Sequence, residues 1–180
     1  MAEIGELITL GAYPQSSTSF SCKEPIQWVI LAREEGRSLC ISRRLLDCKP
    51  YHRTDELVSW AGCTLREWLN RDFLAAAFSQ EEQARILLAH LTNHKSCPQL
   101  DTRDKIFLLD HDEAVDHFES QDHPMTRTAL TTCYARAQGA WFLSPEEAGD
   151  DEAELAYAGS WWLRCPAVAP RKTPTGFLMC

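Results

Sequence analysis

The 180-residue chain contains no Cys-x-x-Cys pair, no glycine-rich phosphate loop and no Gly-x-Ser-x-Gly elbow. Those absences remove the usual spacing of zinc and dithiol sites, the nucleotide cradle and the hydrolase nucleophile. Positive charge is also short, with 18 Lys and Arg against 26 Asp and Glu and a net charge of -8. A duplex binder needs a basic footprint to displace counterions, so nucleic acid is excluded as a partner. The one basic cluster, Arg43, Arg44, Lys49, His52 and Arg53, is interrupted by Leu45, Leu46 and Asp47 and reads as a solvated face. No run approaches the roughly 18 apolar residues of a membrane helix. The opening "MAEIGELITL" has glutamates where an export signal carries bases. A cytoplasmic protein without membrane contact is expected. No repeat or linker divides the chain, so the expectation is one α+β domain over residues 1–180.

What is present is ordinary for a globular protein: 44% hydrophobic and 24% charged residues. In "PIQWVILARE", Ile26, Trp28, Ile30 and Ala32 alternate with Gln27, Val29, Leu31 and Arg33. With the Glu35-Gly36 turn and "RSLCISR" behind it, residues 26–42 predict a β-hairpin. "LLDCKPYHRTDE" reads as a polar loop. Thr64-x-x-Glu67 and Ser79-x-x-Glu82 are capping-box patterns that predict helices. Behind the first, Leu65, Trp68, Leu69 and Phe73 share a face, with a break expected near Asn70. Behind the second, Ala84, Leu87, Leu88 and Leu91 stand at helical spacing. "AHLTNHKS" can start a strand, and "DKIFLLD" predicts a buried one. Asp110 with Glu113 caps a short helix, and Ser144-Pro145 with Glu147 starts another. That last helix opens an acidic insert holding Glu146, Glu147, Asp150, Asp151, Glu152 and Glu154. In "GSWWLRCP", strand alternation puts Trp161 with Leu163 on one face and Trp162 with Arg164 on the other.

The eight cysteines (22, 40, 48, 63, 97, 133, 165 and 180) lack metal-ligand spacing and read mostly as small buried hydrophobes. His90 and His94 stand at the i, i+4 spacing by which helical imidazoles share a metal, but no third ligand is marked. "DHDEAVDH" lacks the glycine and terminal glutamate of a calcium loop. No cofactor and no bound metal are expected. Of the six tryptophans, Trp28 and Trp68 read as core and Trp60 as a staple at a helix start. Trp141, Trp161 and Trp162 cluster late in the chain, where indoles serve either a core or a binding surface. Arg164 beside Trp162 suits an internal carboxylate pair or an anionic ligand.

Several stretches together carry a resemblance. "LGAYPQ", "PIQWVIL", "LDCKPYH", the Trp60 to Phe73 block with "CTLREWLN", "AFSQEEQARI", "DKIFLLD" and "GSWWLRCP" run in the order of a bacterial family, domain-of-unknown-function family 6273. The resemblance spans about residues 5–166 and implies a C-type-lectin-like fold. That fold has a mostly antiparallel sheet and a few flanking helices, in the group that includes formylglycine-generating enzymes. It implies structural roles for Trp60, Cys63, Arg66, Trp68, Asn70 and Trp161. It further implies a Gly- and Asn-rich stretch and a final strand after Pro166, which "AVAPRKTPTGFLMC" does not show. Truncated or diverged C-terminal strands are therefore expected, with an open sheet edge suited to self-association. Relatives tend to have serine where Cys165 stands. Cys165 and Cys180 lack the surrounding pattern of the formylglycine enzymes, so that activity is not carried over.

The expected function is non-catalytic recognition of a protein or small-molecule ligand, with Trp162, Arg164 and Trp141 as ligand-binding residues and no catalytic residue. The alternatives are an enzyme using Cys165 or the His90 and His94 pair, and an acidic module docking a basic partner.

Overall fold

The computed structural model describes residues 3–92, 100–118, 128–150 and 153–164. Strands β1 (Leu7–Pro14), β2 (Lys23–Glu34) and β3 (Arg37–Ser42) make an antiparallel meander in that order. The β2–β3 turn falls at Glu35-Gly36 as the sequence predicts. Strict alternation does not survive along β2. A register shift between Ile30 and Ala32 turns both Ile30 and Leu31 inward, where alternation had placed Leu31 outside. A second shift in β1 spans Gly11, whose φ of 71° is left-handed. A Cβ there would lie 2.6 Å from the Phe78 ring, and the Gly11 N–H donates to Glu82 Oε1 at 2.8 Å. Gly11 is thus the point where the meander meets the helices.

A two-residue strand β4 (Arg44–Leu45) leads into the segment expected to be a polar loop. Leu45, Leu46 and Asp47 are instead fully buried: the leucines join the apolar core, and Asp47 accepts from Tyr13 Oη at 2.6 Å and from the Cys48 N–H at 2.7 Å. A 3-10 turn at Trp60–Gly62 precedes α1 (Thr64–Trp68). The N-cap of α1 is Cys63 rather than Thr64: its sulfur accepts the Arg66 N–H at 3.4 Å. The helix does not break at Asn70. It widens into a π segment over Leu69–Phe73 and continues as α2 (Leu74–Ala77), keeping Leu65, Leu69 and Phe73 in the core. Helix α3 (Gln80–Arg85) has the predicted reciprocal capping box of Ser79 and Glu82. It ends before Leu87 and Leu88, which are exposed, so their helical spacing was fortuitous. Ile86 already has an extended ψ of 115°, which stops the helix.

Strands β5 (Ala89–Leu91) and β6 (Thr102–Asp104) pair antiparallel. Beyond β6, Ile106 to Leu109 are buried as expected but form no strand. Helix α4 (His111–Phe118) starts on the Asp110–Glu113 capping box, with both N–H bonds at 2.8 Å. The last stretch holds β7 (Ala129–Thr131), α5 (Cys133–Ala137), α6 (Pro145–Ala148) and β8 (Ala158–Gly159). Ser144, Pro145 and Glu147 start α6 as predicted. The second sheet has the order β4-β7-β8, with β4 parallel and β8 antiparallel to β7. The class is α+β with mostly antiparallel pairing. One apolar cluster joins the meander, the α1–α2 run, the 106–109 segment and β7. Among the described residues, no helix is long and apolar enough to cross a membrane.

Candidate functional site

The tail motif forms no strand: β8 stops at Gly159, and the Arg164 N–H donates to Leu109 O at 2.8 Å rather than to a sheet neighbour. The two-faced alternation expected there is therefore replaced by individual anchoring. Trp162 Nε1 donates to Lys49 O at 3.1 Å, and its ring tilts against Tyr51. Trp161 meets Phe118 edge-on. Arg164 is 1% exposed. Its Nη1 donates to Leu108 O at 3.0 Å and Glu113 Oε2 at 3.1 Å, and its Nη2 donates to Asp110 Oδ2 and Glu113 Oε1, each at 3.0 Å. Tyr51 Oη donates to Arg164 O at 2.7 Å. The two carboxylates that cap α4 thus also hold the tail.

Two of the residues given structural roles, Trp60 and Arg66, converge on a group that the sequence did not mark, Asp104. Its carboxylate accepts from Trp60 Nε1 at 3.0 Å, Thr102 Oγ1 at 2.8 Å and Arg66 Nε at 2.8 Å. Trp60 is fully buried just before α1. Asn70 satisfies its whole amide: Nδ2 donates to Arg66 O and Ile106 O, while Oδ1 accepts from the Lys105 and Ile106 N–H groups. These bonds satisfy the Lys105 and Ile106 N–H groups and the Ile106 carbonyl just beyond β6 without a strand neighbour. Trp68 is half-buried, with Lys49 Nζ 5.2 Å from its ring centre.

The thiols and histidines follow local environment. Burial pushes the Cys63 and Cys48 thiols up to about 11, which makes them poor nucleophiles. Cys40 is raised by the same cause. Cys22 is exposed and Cys40 and Cys133 half-buried, so burial is not the common state of the described cysteines. His90 lies on strand β5 rather than on the helix its spacing to His94 called for, with Nε2 3.6 Å from Asp101 Oδ2. His94, Cys97, Cys165, Cys180 and the tail after Pro166 fall outside the described residues. Among the described residues, no group of three His, Cys, Asp or Glu side chains could hold a metal ion.

A groove of about 700 Å³ opens between the outer face of the meander and the second sheet. Thr9 and Gln27, register partners on β1 and β2, form one wall. Thr131, Cys133, Arg136 and Tyr157 form the other, and Arg44 and Glu24 also line it. Arg136 sits on the last turn of α5. Its Nη1 donates to Thr131 O at 2.8 Å and Thr131 Oγ1 at 3.1 Å, and its Nη2 to Cys133 Sγ at 3.1 Å. The guanidinium carbon lies 4.5 Å from the Tyr157 ring centre and 5.5 Å from that of Phe142. The two rings stack at 5.8 Å.

Tyr157 has a φ of 71°, a conformation that an aromatic residue rarely adopts. Three bonds impose it: the Tyr157 N–H donates to Leu143 O, and the Thr131 N–H and Oγ1 donate to Tyr157 O. Gly159 lets the strands close beneath, since a Cβ there would lie 2.6 Å from Thr131 Cγ2 and 2.7 Å from Leu45 Cδ1. Trp141, 53% exposed, precedes Phe142 at this end of the molecule. Trp141, Trp162 and Arg164, the residues expected to bind a ligand, do not line the groove. Its residues come from remote parts of the chain, and no local pattern announces them.

A family model described as Domain of unknown function (DUF6273) matches residues 35–175. No curated protein and no solved structure matches the chain.

Proposed function

The chain belongs to the DUF6273 family, and from that premise we propose that it is a single non-catalytic recognition domain of C-type-lectin-like kind, binding a small polar ligand in the groove. The observation that carries this reading is the Arg136–Tyr157 wall. Backbone strain at Tyr157 is held by three hydrogen bonds, and strain of that sort persists where surroundings over-determine it, typically at binding sites. The groove's volume of about 700 Å³ suits a small molecule. Its lining offers Gln27, Thr131 and Arg136 as polar groups. Trp141 does not line the groove and is left out of the contact set. Arg164 is committed to Asp110 and Glu113 and is left out of the contact set.

Amide shift mapping against a library of small polar compounds tests the proposal. Binders are expected to perturb Gln27, Arg44, Leu130 to Cys133 and Tyr157 together. Binders that perturb other surfaces alone, or none of the library binding, overturn it.

A further inference from the structure

Arg136 presents a cation whose polar contacts are all neutral: a backbone carbonyl, a hydroxyl and a thiol sulfur, with two ring faces beside it. Among the described residues, no carboxylate lies within ion-pair distance of it. The chain has 26 acidic and 18 basic residues, so a half-buried arginine without a counter-ion is not for want of carboxylates. A partly desolvated charge left without an opposite charge is costly. The groove's other charged residues, Arg44 and Glu24, are of opposite sign. Glu24 is held below its ordinary carboxylate range first by the Ser16 hydroxyl and N–H, and to a smaller degree by Arg44. Glu24 Oε1 already accepts from Ser16 N and Oγ, at 2.7 and 2.6 Å. Two arginines against one glutamate leave the groove net positive, and Arg136 is the arginine whose guanidinium its own wall holds in place.

Its geometry is also fixed in advance. Thr131 and Cys133 hold Nη1 and Nη2, and the Tyr157 ring supports the plane. A pre-set guanidinium loses little freedom on binding and suits a planar, two-oxygen anion. We infer that the groove takes a ligand ending in a carboxylate, seated on Arg136, with the rest of the ligand running along the Thr9–Gln27 wall. This inference rests on the groove reading and assigns the ligand's chemical class. Both a small carboxylic acid and the C-terminus of a peptide present that end group.

Matched acid and amide probes test it on the unmodified chain. Calorimetric titrations would compare N-acetylphenylalanine with its amide, and the tripeptide Ala-Ala-Phe with its C-terminal amide. The acids are expected to bind about tenfold or more tightly than the amides, since a charge-assisted bond is lost in the latter. Tighter binding by the free acid assigns the small-molecule source; tighter binding by the tripeptide acid assigns the peptide end. Arg136→Gln should abolish the acid preference, and Arg136→Lys should restore part of it, while Arg44→Gln should affect it less. Equal binding of acid and amide overturns the carboxylate inference while leaving the groove as a binding site. Failure of every probe to bind overturns the inference too. Perturbation of the groove by neutral library compounds would then show that the wider reading survives.

Discussion

Replacing Arg164 by methionine would remove a guanidinium that four oxygens share and leave their charges behind. The Arg164 side chain is 1% exposed, against 5% for Asp110 and 27% for Glu113. Removing one partner of a buried ion pair costs about 3–5 kcal/mol, most of it from the charge left unpaired. The lower end applies, because Asp110 Oδ1 and Glu113 Oε2 still accept each other's N–H at the start of α4. For a chain of this size, a loss of about 3 kcal/mol lowers Tm by roughly 6–12 °C. Urea unfolding followed by tryptophan emission gives the measurement, since Trp161 and Trp162 lie just before the substitution. Asp110→Asn keeps the acceptor for the Glu113 N–H but removes one stranded charge. The Asp110→Asn, Arg164→Met double variant should therefore be more stable than the sum of the single effects, by about 1–3 kcal/mol. An Arg164→Met variant within about 1 kcal/mol of the parent, or strict additivity, would refute the idea that this cluster locks the tail.

Asn70→Ala should cost about 2–4 kcal/mol, because it strands the Lys105 and Ile106 N–H groups in a half-buried site; a loss below about 1 kcal/mol by urea unfolding would contradict this. Gly159→Ala should destabilise the β4-β7-β8 sheet and alter the groove, read as shifted Leu130 and Tyr157 amide signals, whereas an unchanged spectrum would count against the close approach at Thr131. Asp47 carries a pH prediction. Burial holds its carboxyl above the ordinary value of 3.8, despite the bond donated by Tyr13, so the folded chain binds that proton more tightly than the unfolded one. Its contribution is fully present below about 3.8 and is lost as pH rises through the folded value. Asp47→Asn should thus gain stability relative to the parent as pH rises from about 4 to 7, measured by unfolding at each pH. A relative loss over that range would falsify the sign.

Local chemistry was legible, and long-range closure was not. The capping boxes at Ser79, Asp110 and Ser144 are three-residue patterns whose bonds lie within one turn, so residue identity nearly determines them. The β2–β3 turn is similarly local. Cys63 escaped notice as a cap because a thiol is a weak acceptor and rarely serves there. Leu87 and Leu88 misled because apolar spacing says nothing about where a backbone stops being helical. The burial of "DKIFLLD" was readable from its run of apolar residues, but strand pairing ends at Asp104, and the backbone beyond it is met by Asn70 and Arg164, remote in sequence. Asp104 looked like one acid among 26, although it is the common acceptor of Trp60, Thr102 and Arg66. The groove was the least legible part. Arg136, Tyr157 and Glu24 acquire meaning only when β7 lies between β4 and β8.

That strand order also sets a timetable. The β1–β2–β3 meander pairs near neighbours and can close within an emerging chain, whereas β4 must wait for Leu130 and Thr131. Closing such a loop costs entropy before the contacts repay it, which delays the step. β7 in turn waits for Ala158 and Gly159 on its other side. Tyr157, which props Arg136, arrives with that final strand. A nascent or partly unfolded chain can therefore hold its meander while lacking one wall of the groove. If the groove binds as proposed, its occupancy would report closure of the second sheet rather than merely the presence of the chain.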